Sequence, residues 1–148
     1  ATTNGNSSDI DVQVGTTGGT NGGSDDVTIS ITNPGNSNTI STNVGTTASN
    51  VDDVNIDIDL TSGSGSNTVT VTENSTATSI TDKTTDIDID GSTNTVTATK
   101  SGASQHDTFI NHTGSSSTLS VTQSGAEAST VDVNTNGSSS SVTINVSD

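Results

Sequence analysis

The sequence predicts an all-β chain: a parallel β-solenoid (β-helix) with two strands per coil, about five and a half coils and no helix. Three observations lead there. One phrase is written three times at a constant step of 23 residues: Gly91-Ser92-Thr93-Asn94-Thr95-Val96-Thr97-Ala98-Thr99, then Gly114 to Thr122, then Gly137 to Asn145. Short runs throughout the chain alternate apolar and polar residues, the period of a strand with one buried face. No window carries apolar residues at the 3.6-residue spacing of a helix.

Residues 1–9 are polar and unpatterned, a flexible lead-in available to join subunits; residues 10–148 form a single solenoid domain. Ile10-Asp11-Val12-Gln13-Val14 is the first strand, and Gly15 to Gly23 a glycine-threonine loop. Val27 to Ile31 is the second strand, closed by the turn signal Asn33-Pro34-Gly35. Ile40 to Val44 and Val54 to Leu60 follow, then Gly63 to Ser66 turns the chain into Val69 to Thr72. Glu73 to Thr85 is the least regular interval, a long loop with an excursion around Ile80. Ile87–Ile89, Val96–Ala98, Thr108–Asn111, Leu119–Val121, Val131–Val133 and Val142–Val146 complete eleven candidate strands.

Alternate strands form two series. Subtracting positions in the first (Ile10, Ile40, Val69, Val96, Leu119, Val142) gives steps of 30, 29, 27, 23 and 23. The second (Val27, Ile56, Ile87, Ile110, Val133) gives 29, 31, 23 and 23. A sandwich of antiparallel hairpins also spaces short strands closely, but it does not require a constant step.

Composition narrows the function classes. The chain has 148 residues, of which 24% are hydrophobic, with one aromatic, Phe109, and no Cys, Met, Trp or Tyr. So little apolar residue suggests disorder when unpatterned, but a solenoid needs only a thin internal strip of aliphatics. Net charge is −15, with two lysines, Lys83 and Lys100, and no arginine. That excludes binding to the phosphates of nucleic acid and to anionic membrane surfaces. No apolar run is long enough for membrane insertion as a helix. Absence of cysteine removes disulfides and thiolate metal sites. A start at Ala1 rather than Met suggests a processed form, secreted and extracellular, at the cell surface.

Two faces would point outward. The first series presents a hydroxyl array of Thr68, Thr70, Thr72, Thr95, Thr97, Thr99, Thr118 and Thr122, with serines between. β-Branched threonine suits a pleated surface, and such a lattice could match ice, a polysaccharide or another copy of the chain. The second series presents carboxylates, Asp57, Asp59, Asp86, Asp88 and Asp90, then Asp132. Stacked carboxylates repel unless a hard cation with oxygen ligands neutralises them, so calcium shared between coils or molecules stands beside plain solvated charge. No cofactor is required otherwise. Asp86 to Gly91 matches the opening of an EF-hand loop, but its twelfth position is Thr97 rather than Glu, and strand alternation would splay the chain rather than wrap it.

Catalysis finds little support, and the chain is not expected to be an enzyme. His106 and His112 are the only imidazoles, expected as an exposed loop residue and a strand-end residue, and nothing marks a nucleophile elbow. Asn74-Ser75-Thr76 and Asn111-His112-Thr113 fit glycosylation sequons, which this composition produces by chance.

Ser117, then Gln123 and Gly125, with Asn134 further along, resemble the repeat of curlins, the subunits of bacterial curli fibres. The preceding coil keeps the frame as Asn94, Lys100, Gly102, Gln105 and Asn111, and the final half-coil places Ser140 and Val146 there. The resemblance covers residues 91–148. It implies a secreted, amyloid-forming β-solenoid that stacks end to end into biofilm fibres, with these positions as ladder residues.

The leading expectation is therefore a structural subunit of a secreted, amyloid-like extracellular filament, a homopolymer joined head to tail. Ile10, Val12 and Val14 at one end and Val142, Ile144 and Val146 at the other would form the joining surfaces, since the strand pattern runs to Val146 without a cap. The alternative is a monomeric solenoid that docks its threonine array to ice or polysaccharide.

Overall fold

The computed structural model describes residues 1, 7–14, 27–45, 53–61, 65–74, 83–102, 105–125 and 128–147. Among them there is no helix, and nine strands form one sheet in which every pairing is parallel. The strands are β1 (Ser7–Val14), β2 (Val27–Thr32), β3 (Ser37–Val44), β4 (Val54–Leu60), β5 (Ser66–Asn74), β6 (Lys83–Ser101), β7 (His106–Ser124), β8 (Ser129–Asn136) and β9 (Ser140–Ser147). The sheet winds as a β-solenoid of about 4 turns.

The pairings separate the chain into the two expected series. β1, β3, β5, the second half of β6, the second half of β7 and β9 stack in one ladder. β2, β4, the first half of β6, the first half of β7 and β8 stack in the other. β6 and β7 each run through two of the eleven expected segments, because laddering continues around the corner that joins them. Within β6 the buried positions change phase there, from Lys83, Thr85, Ile87 and Ile89 to Asn94, Val96, Ala98 and Lys100.

Glycine makes that corner. A Cβ on Gly114 would lie 1.9 Å from the carbonyl oxygen of Gly91, and one on Gly137 would lie 1.7 Å from that of Gly114. The repeated phrase thus opens on glycine because successive coils touch backbone to backbone at this point.

The first series pairs in the expected register: Ile10 with Ile40, Ile40 with Val69, Val69 with Val96, Val96 with Leu119 and Leu119 with Val142. The second differs by one alternation in its early coils. Val27 faces Val54 rather than Ile56, and Ile87 faces Ile58 rather than Ile56. A slip of two residues keeps every side chain on its own face, so alternation alone does not choose between the two registers.

Two boundaries also move. Ser7, Ser8 and Asp9, expected in the lead-in, pair with Ser37, Asn38 and Thr39. Glu73, Asn74, Lys83, Thr84 and Thr85, expected in a loop, are strand residues. The loops expected over 15–23 and around Ile80, residues 2–6 of the lead-in, and Ser75 and Thr76 of one sequon lie outside the described residues.

The core is the expected strip of aliphatics: Ile40, Val69, Val96 and Leu119 stack on one wall, Ile58, Ile87 and Ile110 on the other, all at most 1% exposed. Burial of Val, Ile and Leu side chains is worth about 1.5–3 kcal/mol each. Among the described residues the aliphatics of the inner rungs are used in that way, while those of β1, β8 and β9 include partly buried or exposed ones.

Candidate functional site

The hydroxyl face assembles as the sequence suggests. Thr39, Thr68, Thr95, Thr118 and Ser141 form one outward column. Ser41, Thr70, Thr97, Ser120 and Thr143 form the next, and Asn43, Thr72, Thr99, Thr122 and Asn145 a third. The first column is exposed along its whole length, whereas Thr70, Thr97, Thr72, Thr99 and Thr122 are half-buried.

Beside the first column runs a groove that the sequence did not reveal. A cavity of about 420 Å³ is lined by Thr93–Thr95, Ser116–Thr118 and Ser139–Ser141. A second, of about 360 Å³, is lined by Ser7–Asp9, Ser37–Thr39, Ser66 and Thr68. Ser66 pairs with Thr93 and Thr93 with Ser116, so both cavities lie on the same columns and follow the solenoid axis. The only charged residue in either lining is Asp9.

The acidic face is broken up rather than continuous. Asp57 pairs with Asp86 and Asp59 with Asp88, but the next rung places Phe109 beside Asp86 and Asn111 beside Asp88. Asp90 faces Thr113, and Asp132 faces Phe109. Asp88 Oδ1 accepts a hydrogen bond from Asn111 Nδ2 at 2.8 Å, and Asp59 Oδ1 accepts from the Thr61 amide at 3.0 Å and hydroxyl at 2.6 Å. Burial first, then the charges of Asp88 and Asp57, raises the Asp86 pKa above the ordinary aspartate value. Among the described residues no three acidic or histidine side chains are grouped to hold a metal ion.

The curlin-like positions divide. Ser117 is buried with its hydroxyl on His112 Nε2. Gln123 is buried, and its Nε2 donates to Thr108 Oγ1 at 2.9 Å and to the Thr130 carbonyl at 3.4 Å. Gly125 has φ 147° at the second corner, where a Cβ would stand 2.0 Å from the Gly102 carbonyl oxygen. Asn134, by contrast, is exposed on the outer face beside Asn111, because the odd-numbered residues of β8 are the ones turned toward the core.

Sequence reasoning missed the interior polar columns. Glu73, Lys100, Gln123 and Val146 are successive rungs of one column. Lys100 Nζ lies 3.5 Å from Glu73 Oε2 and donates to the carbonyls of Lys83 at 2.8 Å and Asp107 at 2.6 Å. Lys83 Nζ donates to the Ser101 carbonyl at 3.2 Å, and Thr85 Oγ1 donates to Glu73 Oε1. Burial raises the Glu73 pKa although Lys100 pulls it down, and burial lowers Lys100 to about 8 although Glu73 pulls it up. His106, expected as an exposed loop residue, and His112, expected at a strand end, are both buried; their pKa values fall through burial, with Lys83 depressing His106 further and Asp90 partly restoring His112.

At the opposite corner Asn33, Asn38, Asn67 and Asn94 chain their amides, with Nδ2 to Oδ1 distances of 2.9, 3.0 and 3.1 Å. Asparagine ladders of this kind hold rungs in register.

The ends of the stack complete the candidate surfaces. Val142, Ile144 and Val146 are 42%, 45% and 52% exposed, although in register they continue buried columns. Among the described strands β9 pairs with β7 alone, and β8 with β7 alone. At the other end β1 pairs with β3 alone and carries Ile10, Val12 and Val14 in the same columns. No family model, curated protein or solved structure matches the chain.

Proposed function

We propose that this chain is a structural subunit of an extracellular, amyloid-like filament, built by stacking the β1 end of one copy on the β9 end of another. The observation that carries the proposal is the match between the two ends. Val142, Ile144 and Val146 expose three aliphatics on a strand paired along one edge only, and Ile10, Val12 and Val14 repeat their spacing in the same columns.

Placing Ile10 on Val142 sets Asp9 and Asp11 against Ser141 and Thr143. β9 carries no charge, so the joint opposes no like charges, a penalty in parallel ladders. An unpaired strand edge is a ready template for another chain. On this view the unit has two strands per coil and about five and a half coils, and a sixth first-series strand projects as the joining half. The curlin resemblance over residues 91–148 implies the same mode of assembly, secretion and a place in a biofilm matrix. Fibre diffraction from concentrated protein tests the proposal: a reflection near ~4.8 Å along the filament axis is expected. Monodisperse particles under all salt and calcium conditions would overturn it.

The hydroxyl groove favours a second reading, a solenoid that docks a linear polysaccharide or an ice surface along its axis. Hydroxyl groups recur at every rung of the groove, about 4.8 Å apart. Thr95→Tyr would block it, so loss of glycan retention or of thermal hysteresis in that variant, with filaments intact, would assign the groove this role.

A further inference from the structure

The two series do not end level. Among the described strands the first series reaches β9, one rung beyond β8 of the second series, and the rung above β8 is not supplied by any of them. If β1 of an incoming copy lies on β9, its β2 arrives one rung too far along to touch β8. A joint built from β1 and β9 alone would leave one rung of the second series missing.

Ala1 occupies that level. The Ala1 amino nitrogen donates to the Ser30 carbonyl, and the Thr32 amide donates to the Ala1 carbonyl at 3.0 Å. Two bonds that bracket one residue in this way are the signature of a parallel ladder, and the residue bracketed is Ile31. Ala1 therefore sits on the edge of β2 away from β4, where the preceding rung of the second series belongs. Its column is Ile31, Ile58, Ile87, Ile110 and Val133.

We infer that Ala1 of an incoming copy fills the rung over β8, in register with Val133, so that both series continue across the joint. The occupant is a second copy of this chain, because the same superposition that sets Ile10 on Val142 brings Ala1 over Val133. The inference rests on the stacking proposed above and adds its register and the residue that closes the gap.

The chain contains no cysteine, so introduced pairs report without background. Within one copy residues 11 and 143 are five rungs apart, roughly 24 Å, too far for a disulfide. Any bond between them must therefore join two molecules, and the same holds for 1 and 133, at opposite ends of the stack. Asp11→Cys protein is mixed with Thr143→Cys protein, and separately Ala1→Cys with Val133→Cys; each mixture is assembled, oxidised and read by non-reducing electrophoresis and peptide mass spectrometry. Both the 11–143 and the 1–133 disulfides are expected. An 11–143 bond without a 1–133 bond overturns the Ala1 rung and leaves the stacking standing. Filaments with neither bond overturn the register on both walls, and absence of filaments with no 11–143 bond overturns the stacking and the rung together.

Discussion

Lys100 Nζ lies 3.5 Å from Glu73 Oε2 with both side chains buried to 1% exposure or less. The two lysines are the only basic side chains apart from the histidines, and both are inside the coil rather than on its acidic surface. Breaking a buried pair leaves a desolvated charge alone, at a cost of about 3–5 kcal/mol, whereas replacing both partners by apolar groups is often neutral. Glu73→Leu or Lys100→Met alone should therefore destabilise by that amount, and the double variant by much less. Urea denaturation of the four proteins measures the difference.

Lys100 also gives the fold a pH dependence of definite sign. Its pKa is about 8 in the folded chain, against an ordinary value near ~10.4 when unfolded. Between those values the unfolded state binds more protons, so the Lys100 contribution to stability rises with pH across the window and is lost as pH falls to about 8. Subtracting the stability curve of Lys100→Met from that of the parent over this range should leave a positive slope.

Asp86 carries the opposite sign. Its raised pKa, set by burial and then by Asp88 and Asp57, means that its contribution to stability is full below the unfolded value and lost as pH rises through the folded one. Asp86→Asn should therefore stabilise at neutral pH, by about 0.2–1 kcal/mol, the scale of a cross-strand pair. The gain should shrink at high salt and vanish below about pH 3.9. Thermal melts at two salt concentrations and two pH values check all three expectations.

How much of this was legible depended on which physical signal each residue carried. The 23-residue phrase and the alternation placed the whole first series in register, because glycine corners and aliphatic strips are local signals. The early coils of the second series slipped by two, since Val54 and Ile56 are equally apolar and equally inward, while Ile87, Ile110 and Val133 paired as expected. By sequence, Glu73 and Lys83 fall in an expected loop and His106 at an expected exposed loop position, and Lys100 has no inward place beyond its frame position in the repeat. Phase says otherwise: Val69-Thr70-Val71-Thr72-Glu73 and Val96-Thr97-Ala98-Thr99-Lys100 continue the inward parity without a break. Reading parity ahead of polarity would have found the buried pair. The axial groove had no such signal, because a concavity between two hydroxyl rows depends on the bend at the corner.

Gly114 tests the corner itself. Alanine there would bring its Cβ to 1.9 Å from the Gly91 carbonyl oxygen, a backbone atom that cannot rotate away. Gly114→Ala should cost clearly more than the ~1 kcal/mol of an average substitution, and Ser115→Ala next to it only a fraction of that. Denaturant midpoints of the two variants give the comparison, and equal costs would mean that the coils part at the corner more readily than their close approach implies.

Ile144 separates folding from assembly. It is 45% exposed on a strand with a neighbour on one side, so a lysine there can keep its ammonium in water while its stem stays on the apolar strip. In a stacked joint the same ammonium would be enclosed between rungs with no acid in its column, since the position above it belongs to Val12. Burying a charge without a partner is prohibitive, so Ile144→Lys should abolish filament growth while changing monomer stability by about 1 kcal/mol or less. Seeding sharpens the test: a variant blocked only at its β9 end can still add its intact β1 end to a preformed filament, and should then stop growth there. Electron microscopy of seeded mixtures should therefore show short filaments whose length falls as the fraction of Ile144→Lys protein rises.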